Sequence, residues 1–422
     1  MKILVITDKA NLTGINWHRM IMPHNDLAMN YEGVQCQAAI SMDTVDDESL
    51  KDFQIVVFSR IVSDSERTKE IIDRAKKLGL KVIIDIDDYW KLHSKHEMNG
   101  IYEAKNVANQ TLEGLKQADW VTTTTEHFAD KIREFNTNVT VLPNSIANND
   151  EQFWSEPTQS ERVRIGWIGG IFHKEDLALV YNGFKDVWKD IKHDKFQFCL
   201  GGWNYPNKLN YIKQVVNDSR SSPDIKILFG RYIGYLEQGI DVPDKYIFND
   251  TFGNVQQYDL IEGYMTDFLK YPKDEAYKEY LKKKVAEGNE VGINQPYTRL
   301  PVEKPNTYGT LYNSLDVSLV PLIANNFNSF KSQIKIIEAG FMKKAVIVSN
   351  VMPYTIDCNS KNSILISPSK RGEGWGAAMK SLILNPNKRE DLAEAMHETV
   401  KDKYAMETVN KVRYDLYKKL CD

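Results

Sequence analysis

Short apolar runs recur along this chain, and between them lie stretches whose apolar positions fall three or four residues apart. "KILVIT", "QIVVFS", "KVIIDI", "WVTTTT" and "VTVL" in the first third read as strands. Their continuous apolar character suits burial on both faces of a sheet. "SERTKEIIDRAKKLG" and "FADKIREF", between them, carry helical spacing. Strands alternating with helices predict a parallel sheet with helices on both sides. The pattern restarts at "RVRIGWIGG", which is followed by the helix "KEDLALVYNGFKDVWKD" and the strands "KFQFCLGG", "IKILFG", "DVSLVPL" and "AVIVSN". Two helices are expected over about 388–421. The polar, turn-rich "PNSIANNDEQFWSEPTQSE" (143–161) reads as a linker, and residues 232–297 as a Tyr- and Lys-rich insertion without a legible role. The prediction is an α/β chain of two doubly wound domains, 1–158 and 159–402, with a C-terminal helix over 403–422. Ligands belong at the carboxyl ends of the strands.

Composition narrows the class. A chain of 422 residues exceeds what one compact core usually serves. It is 42% hydrophobic and 27% charged, as a globular protein is. No apolar run approaches the roughly 20 residues that span a bilayer. "MKILVITDKA" is broken by Asp8 and reads as a first strand rather than a signal peptide. Cys36, Cys199, Cys358 and Cys421 are far apart and signal neither a disulfide framework nor a zinc site, which suits a cytoplasmic location. Residues 1–160 hold 17 Lys and Arg against 25 Asp and Glu, while the overall net charge is −4. The first half is therefore acidic and the second mildly basic, which disfavours broad contact with nucleic acid through the first half and suits a phosphate ligand held by the second.

Candidate chemistry lies in three places. "GWIGG" sets Gly169 and Gly170 between a strand and a helix, with His173 and Lys174 following. Backbone can approach a phosphate or sugar there, or the glycines simply make a tight turn. The GxGxxG spacing of a nicotinamide site is missing. In "FNSFKSQIKIIEAGFMKKAVIVSN" a helix is expected from near Ser329, with Lys331 in its first turn. Lys331, Lys335 and Glu338 then share one face at i, i+4 and i+7. Cations at a helix N-terminus oppose the helix dipole, and a diphosphate there would resolve the conflict. The alternative is an exposed Lys335–Glu338 pair. Thirdly, "IIDIDDYW" ends a strand in Asp85, Asp87 and Asp88, either carboxylates for an acceptor hydroxyl or a strand-ending turn. "TGINWHRM" adds Gly14, His18 and Arg19 after the first strand. His93 and His96 in "HSKH" have no third ligand in sight, so zinc is disfavoured.

The order of these motifs resembles a glycosyltransferase of the two-Rossmann-domain (GT-B) type, most nearly the family-4-like enzymes. The echoes are "ADWVTTTTEHFADKI…VTVLPNSI", "VRIGWIGG" and "YGTLYNSLDVSLVPL…FNSFKSQIKIIEAGFMKKAVIVSNVMPY". The resemblance implies two Rossmann-like domains facing a cleft, the second with the insertion. It implies transfer of a sugar from a nucleotide-diphosphate sugar to an acceptor hydroxyl on a glycan, glycolipid or other molecule, with retention and without a metal or other cofactor. In that family the second Glu of a Glu-x7-Glu motif holds the ribose, and Glu338 matches it. The first position is Phe330 here, so Asn328 or Ser329 becomes the candidate near the sugar, with Ser332 also in the donor site. Lys174, Lys331 and Lys335 are candidates for the diphosphate, together with His173 and the glycines. Gly14, His18 and Arg19 are expected to meet phosphate or acceptor, and Asp87, Asp88 and Lys174 to carry catalysis. The rivals are a sugar-nucleotide epimerase or hydrolase on the same fold, a DNA-base glycosyltransferase, and a catalytically inactive nucleotide-sugar-binding protein.

Overall fold

The computed structural model describes residues 1–7, 14–63, 66–92, 99–147, 150–153, 157, 160–170, 173–201, 212–213, 216–217, 223–238, 240, 297–300, 305–369 and 372–422. Most of the predicted insertion, and His93 and His96, lie outside them. The chain divides into two compact units. One holds residues 1–159, 304–368 and 381–422, and the other holds 160–303 and 369–380.

In the first unit, strands β1 (Lys2–Ile6), β2 (Gln35–Ala39), β3 (Ile55–Ser59), β4 (Lys81–Ile86), β5 (Trp120–Thr123) and β6 (Val139–Val141) form a parallel sheet in the order β2-β1-β3-β4-β5-β6. Side chains alternate across it, as the pleat requires. Ile3, Val5, Ile55, Val57 and Ile83 enter one core, with Met20, Leu27, Leu416 and Tyr417. Leu4, Ile6, Val56, Phe58, Val82, Ile84 and Ile86 enter the other, with Ile71, Ile72, Leu115, Phe128 and Ile132. The covering helices are α1 (Met22–Asn30), α3 (Thr68–Lys77), α5 (Val107–Gln117) and α6 (Glu126–Arg133); two short helices, α2 (Asp47–Leu50) and α4 (Asn99–Ala104), lie in the connections. Both faces are thus covered, and this explains why the strands read as unbroken apolar runs.

The second unit carries the parallel run β7 (Val163–Ile168), β8 (Phe196–Gly201) and β9 (Tyr297–Leu300), with helices α7 (Lys174–Ala178), α8 (Tyr181–Asp190) and α9 (Pro223–Glu237). The first unit also contains β10 (Val317–Val320), β11 (Ala345–Ser349) and β12 (Ile364–Ile366), again parallel. The remaining helices are α10 (Asn326–Ser329), α11 (Ile334–Phe341), α12 (Trp375–Leu384), α13 (Pro386–Val400) and α14 (Met406–Cys421). Gly340 on α11 lets α13 approach closely: a Cβ there would stand 2.6 Å from Val400 Cγ2.

Four expectations need correction. "IKILFG" is not a strand but part of helix α9. Ile225, Phe229, Tyr232, Ile233 and Leu236 make a helical stripe packed on Ile212, and the apolar run hid this period. "KEDLALVYNGFKDVWKD" is two helices, α7 and α8, separated at Leu179–Val180. The helix expected from Ser329 starts at Ile334, after the separate short α10, so Lys331 and Ser332 lie in the link between helices. Finally, the start of the expected linker is no loose tether. Asn144, Ser145, Ile146 and Ala147 are buried, and Ile146 bridges to Ala405.

Candidate functional site

Glu338 is the centre of the arrangement. It lies in the second turn of α11, in the connection leaving the carboxyl end of β10, and is only 3% exposed. Tyr312 Oη donates to Glu338 Oε2 at 3.0 Å, and His18 Nε2 stands 3.8 Å from Oε1. Burial pushes the Glu338 carboxyl up to about 7, with the Lys335 charge and the Tyr312 hydroxyl pulling the other way. Burial, helped by the neighbouring Arg19 charge, lowers His18 to about 4, so the imidazole is neutral at pH 7. The close approach is therefore a neutral imidazole beside a poised carboxyl rather than an ion pair. Among the described residues, His18 Nδ1 is buried without a hydrogen-bond partner.

His18 and Arg19 lie on a wide π-type turn, Asn16–Ile21, which leads into α1. Such turns redirect side chains and recur at functional sites. Arg19, expected to meet phosphate or acceptor, is taken up by protein partners. Its guanidinium is 2% exposed and grips Asp85 in a bidentate pair, Nε to Oδ1 at 2.9 Å and Nη2 to Oδ2 at 2.7 Å. Nη1 donates to Leu142 O at 2.6 Å and to Asn144 Oδ1 at 3.3 Å. Asn144 Nδ2 donates in turn to Ser332 Oγ at 2.8 Å. Arg19 is a clamp joining the end of β4 to the segment after β6, and through Asn144 to the link before α11. Ser332 is one end of that chain.

Asp87 and Asp88 follow β4 directly. Asp88 Oδ2 is 3.5 Å from Arg60 Nη1, and Oδ1 is 3.7 Å from Lys331 Nζ. Lys331 also lies 4.8 Å over the Phe327 ring. Lys331 thus has a carboxylate and an aromatic face as protein partners. Burial, then the Asp88 charge, raises Asp87 to about 6. Phe330 is 6% exposed and packs on Tyr89 at 4.7 Å, Phe128 at 5.4 Å and, nearly parallel, His127 at 4.8 Å. A carboxylate could not occupy this aromatic nest without a partner. Asn328 Nδ2 donates to Ile323 O at 2.9 Å and Ser329 Oγ to Asn326 O at 2.8 Å, so both polar groups shape the loop.

Gly14 precedes the π-type turn, and a Cβ there would meet no atom within 4 Å. In the second unit, Gly169 N–H donates to Gly201 O at 3.1 Å, and a Cβ on Gly170 would likewise meet nothing within 4 Å. Neither Gly14 nor Gly170 is required by its neighbours among the described residues. His173 Nδ1 lies 2.8 Å from Asp176 Oδ2, and the ring meets Trp167 edge-on at 5.7 Å. Lys174 begins α7. Among the described residues, no group of three or more His, Cys, Asp or Glu is placed to hold a metal ion, and no helix is long and apolar enough to cross a membrane.

Sequence reasoning missed Tyr312, Asn144, Arg60 and Gln333. Gln333 immediately precedes α11 and donates to Asp357 Oδ2 at 3.2 Å and to Tyr404 Oη at 2.8 Å. Each is a polar residue within an otherwise structural segment, without a periodic signal to mark it.

No protein-family model and no curated protein matches the chain. Solved structures do. Sucrose-phosphate synthase from Thermosynechococcus elongatus is 12% identical with a TM-score of 0.58, covering 99% of this chain and 98% of that one. Anabaena HepE in complex with UDP and glucose is 9% identical with a TM-score of 0.58, covering 99% and 100%. A glycosyltransferase from Rickettsia africae is 12% identical with a TM-score of 0.53, covering 99% and 98%. At such identities the likeness speaks for architecture: the chain has the GT-B fold of two parallel-sheet, Rossmann-like α/β domains.

Proposed function

We propose that this protein is a glycosyltransferase of the family-4-like kind, transferring a sugar from a nucleotide-diphosphate sugar to an acceptor hydroxyl with retention and without a metal ion. The observation that carries this reading is Glu338, a buried carboxyl on α11 held by Tyr312 and faced by a neutral His18. A buried carboxyl with its pKa raised is costly to an empty protein. It gains its counterpart when neutral ribose hydroxyls donate to it. The Lys335 charge acts on it from the first turn of α11, and Lys331 lies in the link just before, where a diphosphate would meet backbone N–H groups. Asp87, shielded and raised to about 6, is the better placed of the two carboxyls to accept an acceptor proton, because Asp88 is engaged with Arg60 and Lys331. The solved structures of HepE hold UDP or UDP-glucose, so UDP is the first nucleotide to try here.

Calorimetry with UDP and with uridine provides the test. Glu338→Ala should weaken both by roughly 10- to 100-fold, the loss of a charged hydrogen bond of about 1.5–3 kcal/mol. Turnover of the bound nucleotide sugar should survive EDTA. Unchanged affinity would remove Glu338 from the site, and activity abolished by EDTA and restored by a divalent ion would end the metal-independent reading.

A second reading has its own observation. Phe330 stands where the family places a sugar-contacting acid, and it is buried among Tyr89, Phe128 and His127. This favours a nucleotide-sugar-binding protein without transferase activity. Tight binding with no turnover across an acceptor panel would select it.

A further inference from the structure

The four consecutive threonines of "WVTTTT" are all buried: Thr122 1%, Thr123 0%, Thr124 1% and Thr125 3% exposed. Three have visible work. Thr122 Oγ1 donates to Asp85 Oδ2 at 2.6 Å, Thr123 Oγ1 donates to Ile86 O at 2.8 Å, and Thr125 Oγ1 caps α6 by accepting from Phe128 N–H at 3.2 Å. Thr124 Oγ1 is buried with no partner among the described residues. A buried hydroxyl left unpaired costs about 1–3 kcal/mol, and valine has nearly the same shape without that cost. A hydroxyl kept in such a place therefore points to a bond made with something else.

Its position says what. In the β4–β5 register, Asp85 pairs with Thr122 and Ile86 with Thr123. Asp87 and Thr124 follow directly on that last pair, each one residue past the end of its strand, at the carboxyl end where the ligands of a parallel α/β sheet bind. An acidic group and a hydroxyl leaving adjacent strands at one end of the sheet are complementary to a vicinal pair of sugar-type hydroxyls, one donating to the carboxylate and one accepting from or donating to the threonine.

We propose that Thr124, with Asp87, forms a binding subsite for a neutral polyhydroxy acceptor. This rests on the glycosyltransferase reading and adds the chemical class of the acceptor. Thr124 is here a binding residue; no bond to it is made or broken.

The test uses the full chain and thermal shift. Wild type, Thr124→Val and Thr124→Ser are compared with saturating UDP, then with methyl α-D-glucopyranoside, methyl α-D-galactopyranoside or glycerol added as hydroxyl probes. At least one probe should raise the melting temperature of wild type and of Thr124→Ser, and lose at least half of that shift in Thr124→Val. The shift caused by UDP should be the same in all three, and ligand-free Thr124→Val should melt at or above wild type. Equal probe shifts in wild type and Thr124→Val, or no probe shift in wild type, would overturn the subsite. If UDP itself fails to shift wild type, the donor reading falls, and the probe shifts measured without UDP decide the subsite by the same criteria. Thr124→Ala is read in the same way if Thr124→Val does not fold.

Discussion

At the scale of single residues, Glu338 and Phe330 pose opposite problems. Glu338 is an acid whose folded pKa, about 7, lies above its ordinary 4.5. The folded state then binds more protons than the unfolded state between these values, so this group removes stability as pH rises from about 4.5 to 7 and no further above that. Glu338→Gln should therefore raise the melting temperature at pH 8 and change it little at pH 5, while UDP affinity falls. A melting temperature lowered at pH 8 would show that the carboxylate holds the fold together. His18 works in the other direction: lowered to about 4, it removes stability as pH falls from 6.5. Phe330→Glu, which rebuilds the family's acid, should destabilise at least as much as truncating a buried Phe, about 3–5 kcal/mol in urea unfolding. A stable Phe330→Glu with enhanced transfer would mean that the aromatic nest opens readily to admit the acid.

At the scale of elements, the strand-to-helix connections matter most. α11 begins at Ile334 because Gln333 is tied to Asp357 and Tyr404, and Asp357 also receives Tyr404 Oη at 2.6 Å. This fixes the start of the helix independently of its helix-forming residues. The loop after β7 is a contrast, since nothing among the described residues presses on Gly170. Gly170→Ala should change stability by no more than about 1 kcal/mol in either direction. If a phosphate approaches that backbone, UDP affinity should fall roughly tenfold, the equivalent of about 1.4 kcal/mol. Unaltered binding would leave Gly170 as a turn residue.

At the scale of the first compact unit, the last helix returns to the first sheet. Leu416 and Tyr417 of α14 enter the core formed by Ile3, Val5, Met20 and Ile83. Tyr417 Oη lies 2.9 Å from His24 Nε2, and Asn410 Nδ2 donates to Asp26 Oδ2 at 2.6 Å. Deleting residues 406–422 should expose that apolar face and cost more than a single large-to-small change, beyond about 5 kcal/mol. The expected result is an aggregating or largely unfolded chain. A deletion variant with unchanged cooperative unfolding would show that the helix merely rests on the sheet.

Most of the strands and the fold class are legible in the residues alone. Runs such as "KVIIDI" and "AVIVSN" are buried on both faces, and this makes their composition insensitive to register or neighbour. The sequence also marked candidates: Glu338 by its expected helical spacing from Lys331 and Lys335, and the carboxylates after β4 because polar residues at a strand end stand out against an apolar run. It missed β2, "QCQAA", because an exposed edge strand carries no apolar run, and it mistook "IKILFG" because a short apolar stretch fits helix and strand alike. Only the tertiary structure decided which charged groups are internal. Arg19 and His18 are adjacent in sequence, yet one is locked on Asp85 and the other stands beside Glu338. Likewise, four identical threonines differ only in the partners that the fold brings to each. Local propensity is a property of a residue and its near neighbours, whereas desolvation and hydrogen-bond satisfaction depend on residues far away in the chain.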